Sequence, residues 1–251
     1  MLSDVTGGLR WHLRALRRRR LWSPTTSLIA EWLESVKPAS KHLLLIGGSA
    51  GWMMSSKWLQ NFERIDLVDL DPLAMMLFRL NHGRALRAVK AKLYTHKSDG
   101  IAGLEALLQS HPQAFVFFDN VLGQHRFRVS DQDQAETDLQ DFAKRLQGRE
   151  WGSVHDLFSG PVEPALVPSR PQRRFASEIT TMGLTSGGLH GDALHRRLLT
   201  QVGASRVWMD HFTSPVFPIG TSNALISWRF SKEYAHWLQA GWVSLNRNGF
   251  A

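Results

Sequence analysis

The chain has 251 residues, with 30 lysines and arginines against 22 acids, a formal net charge of +8 and no cysteine. Lack of cysteine excludes disulfides, thiolate metal sites and cysteine nucleophiles, and no apolar run approaches the roughly 20 residues of a membrane span. The length suits one large domain with a sizeable core, while the excess of cations suits an anionic partner such as nucleic acid. Ten tryptophans are expected mainly as core or interface anchors.

Residues 1–22 concentrate positive charge in Arg10, Arg14, Arg17, Arg18, Arg19 and Arg20, with Asp4 the single acid. Leu9, Leu13 and Leu16 recur beside them at helical spacing. This predicts a helix packed on the domain through its leucines, or else an arm that meets RNA or an acidic partner. No apolar segment follows the arginines, which argues against a secretory signal; a transit peptide stays open, and a cytoplasmic location is expected. Trp22-Ser23-Pro24 is expected to end this helix and a second to run from Thr25 to Val36, so that 1–40 form an Arg-rich helical extension.

Leu43–Ile46 has the length and apolarity of a buried parallel strand. A glycine turn, Gly47 to Gly51, follows, then helix-compatible residues Trp52–Gln60 and a second strand, Ile65–Asp69. Asp69 ends that strand about 20 residues after Gly47, the distance of a ribose-binding acid in a nucleotide-type βαβ unit. Trp52 stands where a dinucleotide fingerprint has Gly or Ala, and the lysine of a P-loop is missing, so pyrophosphate is disfavoured. Asp71-Pro72 opens a helix in which Leu73, Met76, Leu77 and Leu80 are expected to face the sheet, closing at Asn81-His82-Gly83.

A third strand is expected at Leu93–His96, followed by Ser98-Asp99-Gly100 and a helix through Ile101, Leu104 and Leu108. The apolar run Ala114–Phe118 is a central strand whose end carries Asp119-Asn120, at the edge where open α/β sheets bind ligands; an Asx turn is the alternative. A helix is expected over Asp131–Gln147 and a fifth strand over Trp151–Phe158, carrying His155 as a candidate general base or a structural histidine. Ser159–Gly188, rich in Pro and Arg, reads as an insert or lid. A helix is expected from about Asp192 to Val202. The spacing of His190, Asp192 and His195 matches no metal site, and no metal is expected. Arg206–Phe212 and Asn223–Phe230 are expected to form a terminal antiparallel hairpin, before a Tyr234–Leu238 helix and a tail (231–251).

Leu45-Ile46-Gly47-Gly48-Ser49-Ala50-Gly51 and Val68-Asp69-Leu70-Asp71-Pro72 resemble the first two motifs of class I S-adenosylmethionine-dependent methyltransferases. The chain departs from that pattern at Leu45, where an acid is usual, and at Ser49, where a glycine is. The resemblance covers roughly 42–230. It implies an α/β, doubly wound, mostly parallel seven-stranded sheet with a C-terminal antiparallel hairpin in a domain at 41–230. It also implies S-adenosylmethionine as cofactor, held by Gly47, Gly48, Ser49, Gly51, Asp69, Leu70, Ser98 and Asp99. Asp119, Asn120 and His155 are then candidates for acceptor positioning and base work, on an acceptor the residues do not identify. Gly47-Gly48, Val68–Asp71 and Ser98–Gly100 are also similar to aminopropyltransferases, although those have an acidic polyamine pocket and usually an N-terminal β-domain. A basic RNA- or partner-binding module without catalysis is a third reading. No membrane partner is expected, and a homodimer is left open.

Overall fold

The computed structural model describes residues 8–167, 170–171, 173–175, 198–205 and 207–245. β1 (His42–Ile46) buries its last four side chains. A strand enclosed on both faces pairs as an interior parallel strand, and β1 lies parallel between β2 (Arg64–Asp69) and β4 (Phe115–Asp119). β3 (Lys92–Lys97) extends the sheet beside β2, and β5 (Trp151–Pro161) extends it beside β4. The chain order therefore reverses between β1 and β4, which opens a crevice beyond their carboxyl ends.

On the other side of β5 the sheet turns antiparallel. β9 (Tyr234–Val243) pairs with β5 and with β8 (Asn223–Arg229), and β6 (Arg173–Phe175) borders β8. The order is β3-β2-β1-β4-β5-β9-β8-β6, with the two-residue β7 (Met209–Asp210) also on β5. The doubly wound, mostly parallel sheet with a terminal antiparallel hairpin is thus present, with seven longer strands and two short ones among the described residues.

Helices cover both faces. α1 (Gly8–Ser35), α2 (Ser56–Leu59) and α3 (Pro72–Ala88) share one core with Leu43, Leu45, Ile65 and Phe117. α4 (Leu104–Ser110), α5 (Gln132–Gln140) and α6 (Phe142–Arg145) enclose Leu44, Ile46, Val116 and Phe118 on the other. The alternation of β1 and β4 side chains between the two cores is the period-2 geometry of a strand.

Several expectations are corrected. α1 is one helix with Pro24 inside it. The proline is exposed, and packing on either side of it overrides its missing donor: Trp22 Nε1 donates to the Phe230 carbonyl (3.0 Å) and Thr25 Oγ1 to that of Ser227 (3.1 Å). Leu9, Leu13 and Leu16 of α1 face outward; His12, Ala15, Trp22, Thr25, Ile29, Trp32 and Leu33 are its buried residues. α3 runs through Asn81-His82-Gly83, because His82 is bound on both nitrogens, donating from Nε2 to the Gly51 carbonyl and accepting at Nδ1 from Ser56. It too turns its expected core stripe outward and buries Ala74, Phe78 and Leu86.

The terminal hairpin is β8–β9, joined at Phe230–Glu233, and Tyr234–Leu238 is strand. Trp237, Leu238 and Ala240 are buried between two neighbours there, an environment that favours strand over local helical spacing. The helix expected over Asp131–Gln147 breaks at Asp141, and only Ser56–Leu59 of the stretch after the glycine turn is α-helical. Of the insert, Ser159–Pro161 complete β5 and 173–175 form β6. His190, Asp192 and His195 lie outside the described residues, whereas 198–201 are helical.

Candidate functional site

A cavity of about 610 Å³ opens at the crevice between β1 and β4. Of the residues singled out in the sequence, Gly47, Ser49, Asp69, Leu70, Ser98, Asp99, Asp119 and Asn120 all line it. They come from the ends of four parallel strands, which is why residues far apart in the chain converge.

The turn after β1 follows from its backbone. Gly47 has φ +72°, and a Cβ there would stand 2.7 Å from Val121 Cβ, so only glycine fits. Ser49, where the family pattern has glycine, keeps a left-handed φ of +46°. Its amide donates to Asp69 Oδ2 (2.9 Å), and its Oγ accepts from Trp11 Nε1 (3.3 Å). Asp69 Oδ1 accepts from the Asp71 amide (2.9 Å). The Asp69 carboxylate therefore ties the two loops together with two of its roughly four lone-pair directions, leaving the others for a ligand. Burial raises its pKa, opposed by those amides.

Gly48 and Gly51 are not cavity residues. A Cβ on Gly48 would strike Leu67 at 2.7 Å and one on Gly51 would strike His82 at 2.3 Å, so both serve close packing. Leu45 is core. His155 does not line the cavity either. It is fully buried, bonded to Ser153 (2.8 Å) and Gln239 (3.3 Å) and stacked on Phe217, and burial lowers its pKa to about 4. Its neighbour Asp156 points to the other side of β5, as strand alternation requires.

Asp99 accepts from the Ile101 and Ala102 amides at 3.0 Å and pairs with Arg128. Asp119 is enclosed, with Oδ1 lacking any partner, and burial together with the charge of Asp69 raises its pKa well above the usual carboxylate range. Asn120 has φ +54°, and its side-chain oxygen accepts from the Asp156 amide at 2.9 Å. Asp156 in turn holds His236 Nδ1 at 2.7 Å, and the nearby His236 imidazole is the main influence drawing its pKa down to about 2 against burial. His236 lies ring to ring with Trp228, a wall of the cavity.

The mouth is roofed by α1. The Gly8 amide donates to Asp71 Oδ2 (2.7 Å), and His12 Nε2 lies 3.0 Å from the same oxygen. Trp52 Nε1 donates to His12 Nδ1 (3.2 Å), so that nitrogen accepts and Nε2 carries the proton toward Asp71. These contacts, with Trp11, Phe127 and Arg128, were not legible as site residues in the sequence. Trp11 appears there only as an aromatic between arginines, and the chain reaches Asp71 from more than fifty positions away.

Two other His–Asp clusters occur among the described residues. Asp66 is held by Arg64, His42 and His96, near His111. The Arg64 cation supplies its counter-charge. In the second, Asp156, His211 and His236 approach one another, but both nitrogens of His211 are engaged, Nδ1 donating to the Gly123 carbonyl and Nε2 accepting from Ser159.

No protein-family model matches the chain, and no curated protein matches it. Solved structures similar to it include the glycopeptide N-methyltransferase MtfA with S-adenosylmethionine, at 17% identity and TM-score 0.34 over 60% of each chain. The chain thus spans less than two thirds of that structure's length. Magnesium protoporphyrin IX methyltransferase (ChlM) from Synechocystis PCC 6803 with bound SAH is similar at 16% identity and TM-score 0.40, over 94% of this chain and 88% of that one. A SAM-dependent methyltransferase from Thiobacillus denitrificans with S-adenosyl-L-homocysteine is similar at 11% identity and TM-score 0.41, over 95% and 99%.

Proposed function

We propose that the protein is an S-adenosylmethionine-dependent methyltransferase acting on an acceptor still to be identified. The observation that carries this is Asp69 at the tip of β2, its carboxylate beside the Gly47–Ser49 turn and lining the same cavity. A carboxylate with lone pairs to spare suits the two hydroxyls of a ribose. The cavity's size and its glycine-floored turn suit an adenosine with no phosphates, and Asp119 Oδ1, buried without a partner, suits a cationic ligand.

In this reading Asp69 holds the ribose and Ser98 and Asp99 flank the adenine, with Gly47 and Ser49 beside the amino-acid end. S-adenosylmethionine supplies an electrophilic methyl group on a sulfonium. The chain's part is alignment of the nucleophile and exclusion of water, with Trp11 and the start of α1 covering the mouth. Asp119 lines the cavity and is suited to take the acceptor's proton in its ionised form, which a cationic ligand beside it favours. Asn120, fixed through Asp156, is suited to orient the acceptor. Gly48 and Gly51 are assigned to close packing and His155 to the buried core rather than to ligand contact.

The aminopropyltransferase alternative is weaker. Asp71 and Asp99 are already bound to His12 and Arg128, so the cavity has few free carboxylates for a polyamine. Titration calorimetry with S-adenosylmethionine and S-adenosylhomocysteine tests the proposal. Binding of both is expected, and absence of heat with either at millimolar concentration overturns it.

A further inference from the structure

We propose that the outer face shared by α1 and α3 docks the protein onto an anionic lipid surface, with the mouth of the cavity at its edge. Both helices turn outward the stripe that their spacing assigns to the core. Leu9 is 63% and Leu16 51% exposed on α1; Met76 is 53% and Leu80 71% exposed on α3. Leu13 and Leu73 complete the two rows.

The rows are neighbours. The starts of the helices meet at Asp71, which accepts from the Gly8 and Leu73 amides. Farther along, Arg19 and Asn81 line one groove between α1 and α3. Leu16 lies one turn before Arg19 and Leu77 one turn before Asn81, so side chains on the two helices border that groove from both sides. Adjoining apolar rows on a protein surface mark a site of contact.

Charge selects the occupant. From Gly8 to Ala30 and from Pro72 to Lys97 the chain has no Asp or Glu. Arg14, Arg17 and Arg20 are exposed beside the α1 leucines, and Arg84, Arg87 and Lys90 beside the end of α3. Aliphatic side chains set among cations are the pattern of a helix lying in the headgroup region of an anionic bilayer. Nucleic acid fits less well, because the projecting side chains offer no stacking face and Trp22 is turned inward. No described helix is long and apolar enough to cross a membrane; contact at the surface needs none, and the expectation of no membrane partner is replaced by this one. Gly8, Leu70 and Asp71 border both the patch and the cavity, so a bilayer-dissolved ligand would meet the opening directly.

Flotation of the full chain with vesicles of phosphatidylcholine alone, and of phosphatidylcholine and phosphatidylglycerol in equal parts, tests this independently of cofactor binding. Capture by the anionic vesicles and not the neutral ones is expected, falling as salt rises. Leu13→Asp with Leu16→Asp, and separately Arg17→Glu with Arg20→Glu, should each lower capture about tenfold or more. These positions are exposed, and circular dichroism should be unchanged. Lys144→Glu, on the opposite face of the sheet, should leave capture as it was. Absence of capture by anionic vesicles overturns the proposal. Equal capture by neutral vesicles overturns it, and so does a dimer in solution that the leucine variants dissociate.

Discussion

Asp69 has two duties at the scale of a single residue, bracing two loops and facing the cavity. Asp69→Asn should lower affinity for S-adenosylmethionine at least about tenfold, roughly 1.4 kcal/mol, and lower the melting temperature as an amide tie is lost; unchanged affinity in calorimetry refutes the ribose assignment. Asp119 makes a prediction of opposite sign. Folding raises its pKa, so the native chain keeps a proton that the unfolded chain releases above about 3.8. Stability therefore falls as pH rises from that value to the raised one and stays lowered above it. Asp119→Asn should melt at a higher temperature than the parent at neutral pH, with the difference vanishing at and below pH 3.8. A melting series across pH checks this. Both carboxylates were legible in the sequence because each ends an apolar strand. Arg128, which occupies part of Asp99, was not, since a loop residue carries no periodic mark of what it meets.

Elements were legible to the extent that their burial was two-sided. β1, β4 and the end of β2 announce themselves as continuous apolar runs, and the structure keeps them within a residue or two. The faces of α3 and of the start of α1 were read wrongly, because spacing cannot tell a stripe facing the sheet from one facing outward: α3 buries Ala74 and Phe78 and exposes Leu80, whereas Leu104 and Leu108 of α4 face inward as expected. The terminal strand was missed for a related reason. Tyr234–Val243 mixes His, Gln and Gly into a largely buried position, and only the strands on either side make it a strand. Within α1, Pro24 costs the helix a hydrogen bond while standing exposed. Pro24→Ala should stabilise the protein by up to about 3 kcal/mol, less the entropy that proline removes from the unfolded chain. Denaturant unfolding measures this, and a loss of stability would show that the helix is better served by the proline.

At the scale of the molecule, the parallel half of the sheet carries the cavity and the antiparallel half anchors its roof. Arg18 and Trp22 of α1 both donate to the Phe230 carbonyl, in the turn between β8 and β9. Trp237 of β9 is wholly buried and donates to the Leu198 carbonyl. Trp237→Ala should cost about 3–5 kcal/mol, read as a lower denaturant midpoint. β9 is also the strand that fills the space between β5 and β8. A growing polypeptide that has reached only Phe230 holds two unsatisfied ladders facing a gap one strand wide, and both are templates for foreign strands until Tyr234–Val243 arrives. Closure of the whole sheet therefore waits on its last ten-residue piece, and nascent chains halted before it are the ones a chaperone should be found holding.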